Sequence, residues 1–297
     1  MSVIDRYKKR PLVITVLLNW NKWEYTAECL RSLQKLDYSN NQTVVVDNGS
    51  TNDSVARLRS LFPDVMLIEN EKNLGFATGC NVGIRYALQQ GASYVWLLNN
   101  DTVVHPHALT ALVERAESDP QIGAVGSVIY DWERRDKVLA WGGGRISYWF
   151  GISRHVSVSV ENEQLDFLTG ASMLIRREAF GAIGLLDERF FLYWEDADFS
   201  IRLKKRSWKL AVAAHSKVWH RETATIGRRT EFQDYFYNVS ATIFLRKHAR
   251  FSLLPIFCLC AGRTTKRFAA GHFRRGIAVI KGIFCGLRVP VTVKAEQ

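Results

Sequence analysis

Glu195, Asp196 and Asp198, three carboxylates within four positions of the string Trp194-Glu195-Asp196-Ala197-Asp198, are the densest chemical constellation in this 297-residue chain. Like charges this close raise at least one carboxyl pKa unless a cation such as Arg202 holds them, and a raised carboxylate suits a general base. The alternative is a first helical turn stabilised by acids, which accounts for one carboxylate more easily than for three. Asp101 follows the apolar run 94–98, where a carboxylate can hold a hard divalent cation that also bridges a substrate's phosphates; its plainer reading is a helix cap ahead of Pro106. His220, after the run 210–214, taken alone reads as a structural histidine, and His105 and His107 read as surface residues on a loop without a second ligand in register.

An alternation of short β-branched runs with helical patterns must position these groups, and it predicts parallel strands joined by crossover helices. Strands are expected at 12–18, 43–46, 65–68, 94–98 and 122–129, with helices at 24–36, 54–62, 78–89 and 106–117, the last started by Pro106. Beyond Asp131 the pattern is irregular, with a Trp141-Gly142-Gly143-Gly144 turn, strands near 172–175 and 210–214 and a helix over 196–206. The fold class is therefore an open α/β sheet, and such sheets bind ligands beyond the carboxyl ends of their strands. Polar groups gather there: Asn19-Trp20-Asn21, then Asp47-Asn48-Gly49-Ser50, then Glu69-Asn70 leading to Asn73-Leu74-Gly75-Phe76, and finally Asn99-Asn100-Asp101. The Asp47 group also reads as a turn and helix cap, and Gly75, Gly79 and Gly83 as spacers for close helix packing.

A composition of 47% hydrophobic and 23% charged residues excludes a disordered chain. Five cysteines, an odd number with no C-x-x-C pair, argue against a zinc ribbon or a disulfide framework and for a reducing, cytosolic compartment. The net charge of +11 is concentrated at one end: from Arg246 onward there are 11 Lys/Arg against Glu296, leaving +1 for the preceding 245 residues. That distribution, with no nucleic-acid-binding motif, argues against a nucleic-acid partner. The run 12–18 is too short for a signal peptide, and the run 251–261 is too short to span a bilayer. Residues 1–245 are expected to form one domain and 246–297 an appended basic tail.

Taken together, the strings VLLNWNKWEYTAECLRSL, VVVDNGSTNDS, NEKNLGFATGCNVGI, WLLNNDTVV, FLTGASMLIRREAFGAIGLLDERFFLYWEDADFSIRLKKRSW and VWHRETATIG, in this order, resemble the family 2 glycosyltransferases, and especially their bacterial rhamnosyltransferase-like branch. The resemblance implies a GT-A fold and inverting transfer of a sugar from a nucleotide-diphosphate donor to a glycan or polyprenyl-diphosphate-linked acceptor, in the synthesis of a bacterial surface polysaccharide such as O-antigen or capsule. It implies that Asp196 is the catalytic base, that Asn19, Trp20, Asp47, Asn73, Gly75, Asn81 and Asn100 belong to the donor site, and that Gly170, Trp194 and Glu195 meet the acceptor. It also implies a divalent cation, Mg²⁺ or Mn²⁺, held by Asp101 and His220. Asn99-Asn100-Asp101 stands where the family usually writes D-x-D, so only one of its carboxylates remains. Arg228 and Arg229 are candidates to close over the diphosphate.

The basic tail, with apolar residues interleaved among its cations, fits helices lying on an anionic inner-membrane surface, the enzyme being cytoplasmic and peripheral; an oligomer interface is the alternative. Two rival functions are weighed against this assignment. A sugar-nucleotide pyrophosphorylase would carry a Gly-rich, Arg-containing loop after the first strand, which Asn19-Trp20-Asn21-Lys22 is not. An inactive nucleotide- or carbohydrate-binding scaffold would explain the missing acid of the metal motif, but not the presence of Asp101, Asp196 and His220.

Overall fold

The computed structural model describes residues 10–221 and 230–291, so Arg228 and Arg229 lie outside the described residues. The first half alternates as its sequence pattern requires: β1 (Val13–Asn19), α1 (Trp23–Leu33), β2 (Asn41–Asp47), α2 (Ser54–Leu61), β3 (Met66–Glu69), α3 (Phe76–Gln89) and β4 (Tyr94–Asn99). A short β5 (Thr102–Val104) then leads to α4 (Ala108–Glu117) and β6 (Ile122–Asp131). Pro106 does not start α4. It lies ahead of the cap residue His107, in the preceding turn, where its carbonyl accepts from the Asp37 amide at 3.0 Å.

An excursion that the sequence pattern does not reveal follows, comprising β7 (Val138–Trp141), β8 (Gly143–Ser147), β9 (Ile152–His155) and β10 (Phe167–Leu168). Strands β10, β8 and β9 form a small antiparallel sheet of their own, while β7 pairs with β6. The chain returns through β11 (Ser172–Arg176), α5 (Arg177–Ile183), α6 (Glu195–Lys205) and β12 (Lys209–His220). The main sheet runs β3-β2-β1-β4-β11-β6-β12-β5. Its β3-β2-β1-β4 half and its β6/β12 pair are parallel, as expected. Strand β11 enters antiparallel between β4 and β6, because it is reached through the β7–β10 excursion instead of a crossover helix.

Register gathers the polar strand ends at one edge: Asn19 lies opposite Asp47, Asp47 opposite Glu69, and Leu18 opposite Asn99. Strand alternation supplies a core on each face. Val13 and Leu17 pack with α1 and α4, whereas Ile14 and Val16 pack towards α3, α5 and α6. In α3 a Cβ at Gly79 would stand 2.6 Å from Leu18 Cδ1, and one at Gly83 would meet Val16, so this glycine spacing brings the helix onto β1.

Three further helices, α7 (Glu231–His248), α8 (Leu253–Ala269) and α9 (Phe273–Arg288), complete the fold. A reciprocal capping box between Thr230 and Gln233 starts α7. The expected boundary at residue 245 falls inside α7, and the basic segment beyond it is docked, which corrects the picture of an appendage. Helix α9 lies close against α7, where a Cβ at Gly286 would stand 2.7 Å from Thr242 Cβ. The buried Asp234 of α7 receives Arg267 and Arg275, each at 2.7 Å, and Arg263 at 3.3 Å. Three of the tail's cations thus neutralise one buried carboxylate, and a third core under these helices joins Ile243, Phe244 and Leu259 to Phe190 and Trp194.

Candidate active site

A cleft of about 810 Å³ opens at the polar strand edge between the main sheet, the small sheet and α7. Its floor includes the start of α6. Tyr193 and Trp194 both have φ of 70°, a left-handed conformation that costs side-chain-bearing residues roughly 1–3 kcal/mol each and needs support from packing. The Trp194 indole supplies that support, with its ring 4.7 Å from Phe244 and 5.9 Å from Tyr237. The turn delivers Glu195 and Asp196 to the cleft and turns Asp198 inward.

Each acid of this cluster meets a different environment. Asp198 is fully buried and accepts from Arg202 Nε at 2.8 Å and His248 Nε2 at 2.7 Å, with Lys247 also against it. Although burial alone would raise its carboxyl, the His248 hydrogen bond and the Arg202 and Lys247 charges hold it far below the usual carboxylate range. Asp196 has only backbone donors: Gly170 N–H to Oδ2 at 2.8 Å and Ala197 N–H to Oδ1 at 2.7 Å. Burial outweighs those bonds and the field of His155, so the Asp196 carboxyl is raised above its ordinary value. Glu195 is raised further, by burial first and by Asp196 next, and its Oε2 has no hydrogen-bond partner. One acid is locked ionised by cations while its two neighbours are poised to hold or exchange protons.

At the sheet edge, Asp101 Oδ1 stands 3.1 Å from His220 Nε2, and Asn99 Nδ2 stands 3.3 Å from the same ring nitrogen. The pairing of β12 with β5 sets Thr102 opposite His220, which brings the imidazole to the turn that carries Asp101. Asn99 Oδ1 is a buried oxygen without a hydrogen-bond partner. Among the described residues no group of three or more His, Cys, Asp or Glu side chains gathers as a metal cluster. One carboxylate, one imidazole and a spare amide oxygen nonetheless fit a Mg²⁺- or Mn²⁺-type ion whose other ligands come from a diphosphate and water.

The other expected donor residues divide into two groups. Trp20, Asn73, Gly75 and Asn100 line the cleft, as do Gly170, Trp194 and Glu195 on the opposite side. Asn73 Oδ1 accepts from Asn48 Nδ2 at 3.0 Å and from Gly75 N–H at 2.9 Å, shaping the loop into α3. Asn19, Asp47 and Asn81 do not line the cleft. Register turns Asn19 and Asp47 towards each other: Asn19 Nδ2 donates to Asp47 Oδ1 at 2.7 Å, and Ser50 donates to the same carboxylate from its amide and its hydroxyl. The Asn81 amide is consumed by the Leu186 backbone and Glu188, tying α3 to the segment before α6.

Sequence reasoning missed Lys22, Asn48, Ser153, His155, Phe191, Tyr193 and Tyr237, all of which line the cleft. Asn48 carried a signal as the neighbour of Asp47, since its Oδ1 accepts from Leu74 N–H at 3.1 Å and its Nδ2 donates to the Gly75 carbonyl. Ser153 and His155 come from β9, a strand of four residues without a periodic pattern of its own.

Residues 14–184 match the family described as Glycosyl transferase family 2. The N-acetylglucosaminyl-diphospho-decaprenol L-rhamnosyltransferase of Mycobacterium tuberculosis is 29% identical over 225 residues, which cover 68% of this chain and 73% of that protein. The O-antigen biosynthesis protein RfbC of Myxococcus xanthus is 24% identical over 235 residues, 76% of this chain but 17% of that one. Among solved structures, a mannosyltransferase from Pyrobaculum calidifontis in complex with GDP-Man and Mn2+ superposes with a TM-score of 0.60 at 16% identity, covering 95% of this chain and 88% of that one. This chain belongs to glycosyl transferase family 2 and is a glycosyltransferase with the GT-A fold.

Proposed function

We propose that this glycosyltransferase moves a sugar, L-rhamnose in preference to others, from a nucleoside-diphosphate donor to a hydroxyl of a lipid-diphosphate-linked saccharide, with inversion, in surface-polysaccharide synthesis. The observation that carries the reading is the half-buried carboxylate of Asp196, raised in pKa and aimed by the Gly170 and Ala197 amides, in the same cleft as the Asp101–His220 pair. The rhamnosyltransferase of M. tuberculosis, whose name specifies an N-acetylglucosaminyl-diphospho-decaprenol acceptor, supports the choice of donor sugar and acceptor.

Asp196 takes the proton of the acceptor hydroxyl as that oxygen forms a bond to the anomeric carbon from the face opposite the leaving group. The bond from the anomeric carbon to the diphosphate breaks in the same displacement, which inverts the configuration. Both Asp196 oxygens already accept a backbone N–H, so the carboxylate cannot swing away from the acceptor, and Glu195 beside it borders the acceptor pocket. Asn73, Gly75 and Asn100 form the donor side, with Trp20 exposed for stacking on a nucleobase. A divalent cation bound at Asp101 and His220 would neutralise charge on the departing diphosphate.

Incubating the protein with a panel of nucleotide sugars, Mg²⁺ or Mn²⁺ and lipid-linked acceptors, beside an Asp196→Asn variant, tests the reading. Nucleoside diphosphate release from dTDP-rhamnose that needs acceptor and is lost in the variant supports it. Release from another donor alone corrects the sugar, and release that persists in the variant removes Asp196 as base.

A further inference from the structure

Residues 246–291 contain ten Lys/Arg and no Asp or Glu. Five of the ten are committed inside the fold: Arg263, Arg267 and Arg275 to Asp234, Lys247 to Asp187 and Asp198, and Arg246 to the Gly286 and Val289 carbonyls. Arg250, Lys266, Arg274, Lys281 and Arg288 are all exposed and form no salt bridge among the described residues. The same helices expose large apolar side chains in register. On α8, Leu253 and Phe257 are one turn apart, with Phe268 three turns beyond on the same face; on α9, Phe273, Ile277 and Phe284 follow one line. Arg274, Lys281 and Arg288, seven residues apart, run beside that line. The two stripes meet where the exposed Phe268 and Phe273 rings lie 5.7 Å apart.

A second element continues this surface. The β8–β9 hairpin exposes Trp149 and Phe150 at its tip, 66% and 60% accessible. Its Gly151 lies against Leu245 of α7 and Leu259 of α8, so the aromatic tip adjoins the α8 stripe. The strand leaving that tip carries Ser153 and His155 into the cleft wall. Among the described residues no helix is long and apolar enough to cross a membrane. Exposed aromatic and aliphatic stripes flanked by cations and free of acids match a surface that lies in the headgroup layer of an anionic bilayer.

We infer that the outer faces of α8 and α9 and the Trp149–Phe150 tip form one bilayer-seating surface, which turns the β9 wall of the cleft towards an anionic leaflet. The inference deepens the proposed function, on which it rests only for the lipid-linked nature of the acceptor. Phenylalanines and Trp149 enter the acyl boundary, lysine and arginine heads reach the phosphates, and the acceptor's headgroup arrives beside Ser153 and His155.

The test is co-sedimentation of the full chain with vesicles of phosphatidylcholine alone or with 30 mol% phosphatidylglycerol, wherever the proposed function stands. Binding to the anionic vesicles at low salt, weakened at high salt and absent from neutral vesicles, is expected. Trp149→Ser with Phe150→Ser should lower the partition coefficient roughly tenfold, and Arg274→Glu with Lys281→Glu at least as much. These positions are exposed and outside the catalytic cleft, so both variants should keep the wild-type melting temperature and donor binding. No vesicle binding by the wild type, equal binding by the variants, or a self-associated wild type that the same substitutions render monomeric would each overturn the inference. Donor turnover on a water-soluble acceptor, measured in parallel, reports on the proposed function separately, because it needs no lipid surface.

Discussion

Replacing Asp198 by Asn removes the charge that joins the last turn of α7 to the first turn of α6. The side chain is fully buried and receives Arg202, Lys247 and His248. Breaking a buried ion pair costs about 3–5 kcal/mol because a charge is left uncompensated. The lower end applies here, since Lys247 keeps Asp187 and Arg202 keeps the Ile183 and Leu185 carbonyls at 2.7 and 2.8 Å. A loss of about 3 kcal/mol in a chain of this size lowers the melting temperature by about 6 °C.

The pH dependence gives a second, independent handle on Asp198→Asn. The folded-state pKa of Asp198 is depressed, so its contribution is fully present above the unfolded value, about 3.9, and is lost as pH falls towards the folded value. His248 is held below its ordinary 6.5, by burial first and against the pull of Asp198; removing Asp198 lowers it further. The stability gap between wild type and variant should therefore be flat above about pH 7, widen as pH falls below about 6.5, where the wild-type imidazole gains a proton beside Asp198 before the variant's does, and narrow as pH falls below about 3.9. Urea unfolding followed by circular dichroism across pH 3–8 measures it. A variant within 0.5 kcal/mol of wild type at pH 7, or a gap larger at pH 3 than at pH 5, would refute the assignment.

Asp196→Asn should lower kcat by about 10²–10⁴-fold with the fold intact. In the wild type the acid limb of kcat/KM should lie above 3.8, because the raised carboxyl must be ionised to accept a proton; a pH–rate profile reads both effects. Asp101→Asn, which removes the carboxylate that faces His220 at 3.1 Å, should raise the Mn²⁺ concentration giving half-maximal turnover by about 10–100-fold, as a metal titration would show. Gly75→Ala forces a side chain onto a backbone with φ of 84° and sets its Cβ 2.6 Å from the Phe191 carbonyl. It should cost about 1–3 kcal/mol and raise the donor KM, since Gly75 lines the cleft; thermal unfolding and donor kinetics separate the two effects.

The parallel half of the fold was legible because β1, β2, β4 and β6 each contain a short apolar, β-branched stretch and the intervening helices carry apolar stripes. The β7–β10 excursion was not, since its strands are short and Gly142, Gly143 and Gly144 leave no periodic pattern to read. For the site, the acidic cluster holding Asp196 and the strand-end Asp101 stood out by residue type and position, whereas His220 entered only through the family resemblance. Asn19 and Asp47 had the right type, but strand register points them at each other, which no local pattern encodes. His155 reaches the cleft only through the small sheet, and the docking of α8 and α9 depends on Asp234 meeting arginines 29–41 positions away.

The bond between Asp198 and the end of α7 also bears on the order in which the chain can finish folding during synthesis. Every strand has left the ribosome before Lys247 and His248 emerge, and until then Asp198 has Arg202 as its local counter-charge. The acidic turn carrying Glu195 and Asp196 is therefore among the last parts of the nascent protein to set, after the sheet that holds the donor edge. A transcript ending at codon 245 would yield the complete sheet but leave the acidic turn without its Lys247 and His248 partners, with the Asp234 carboxylate stripped of all three arginines.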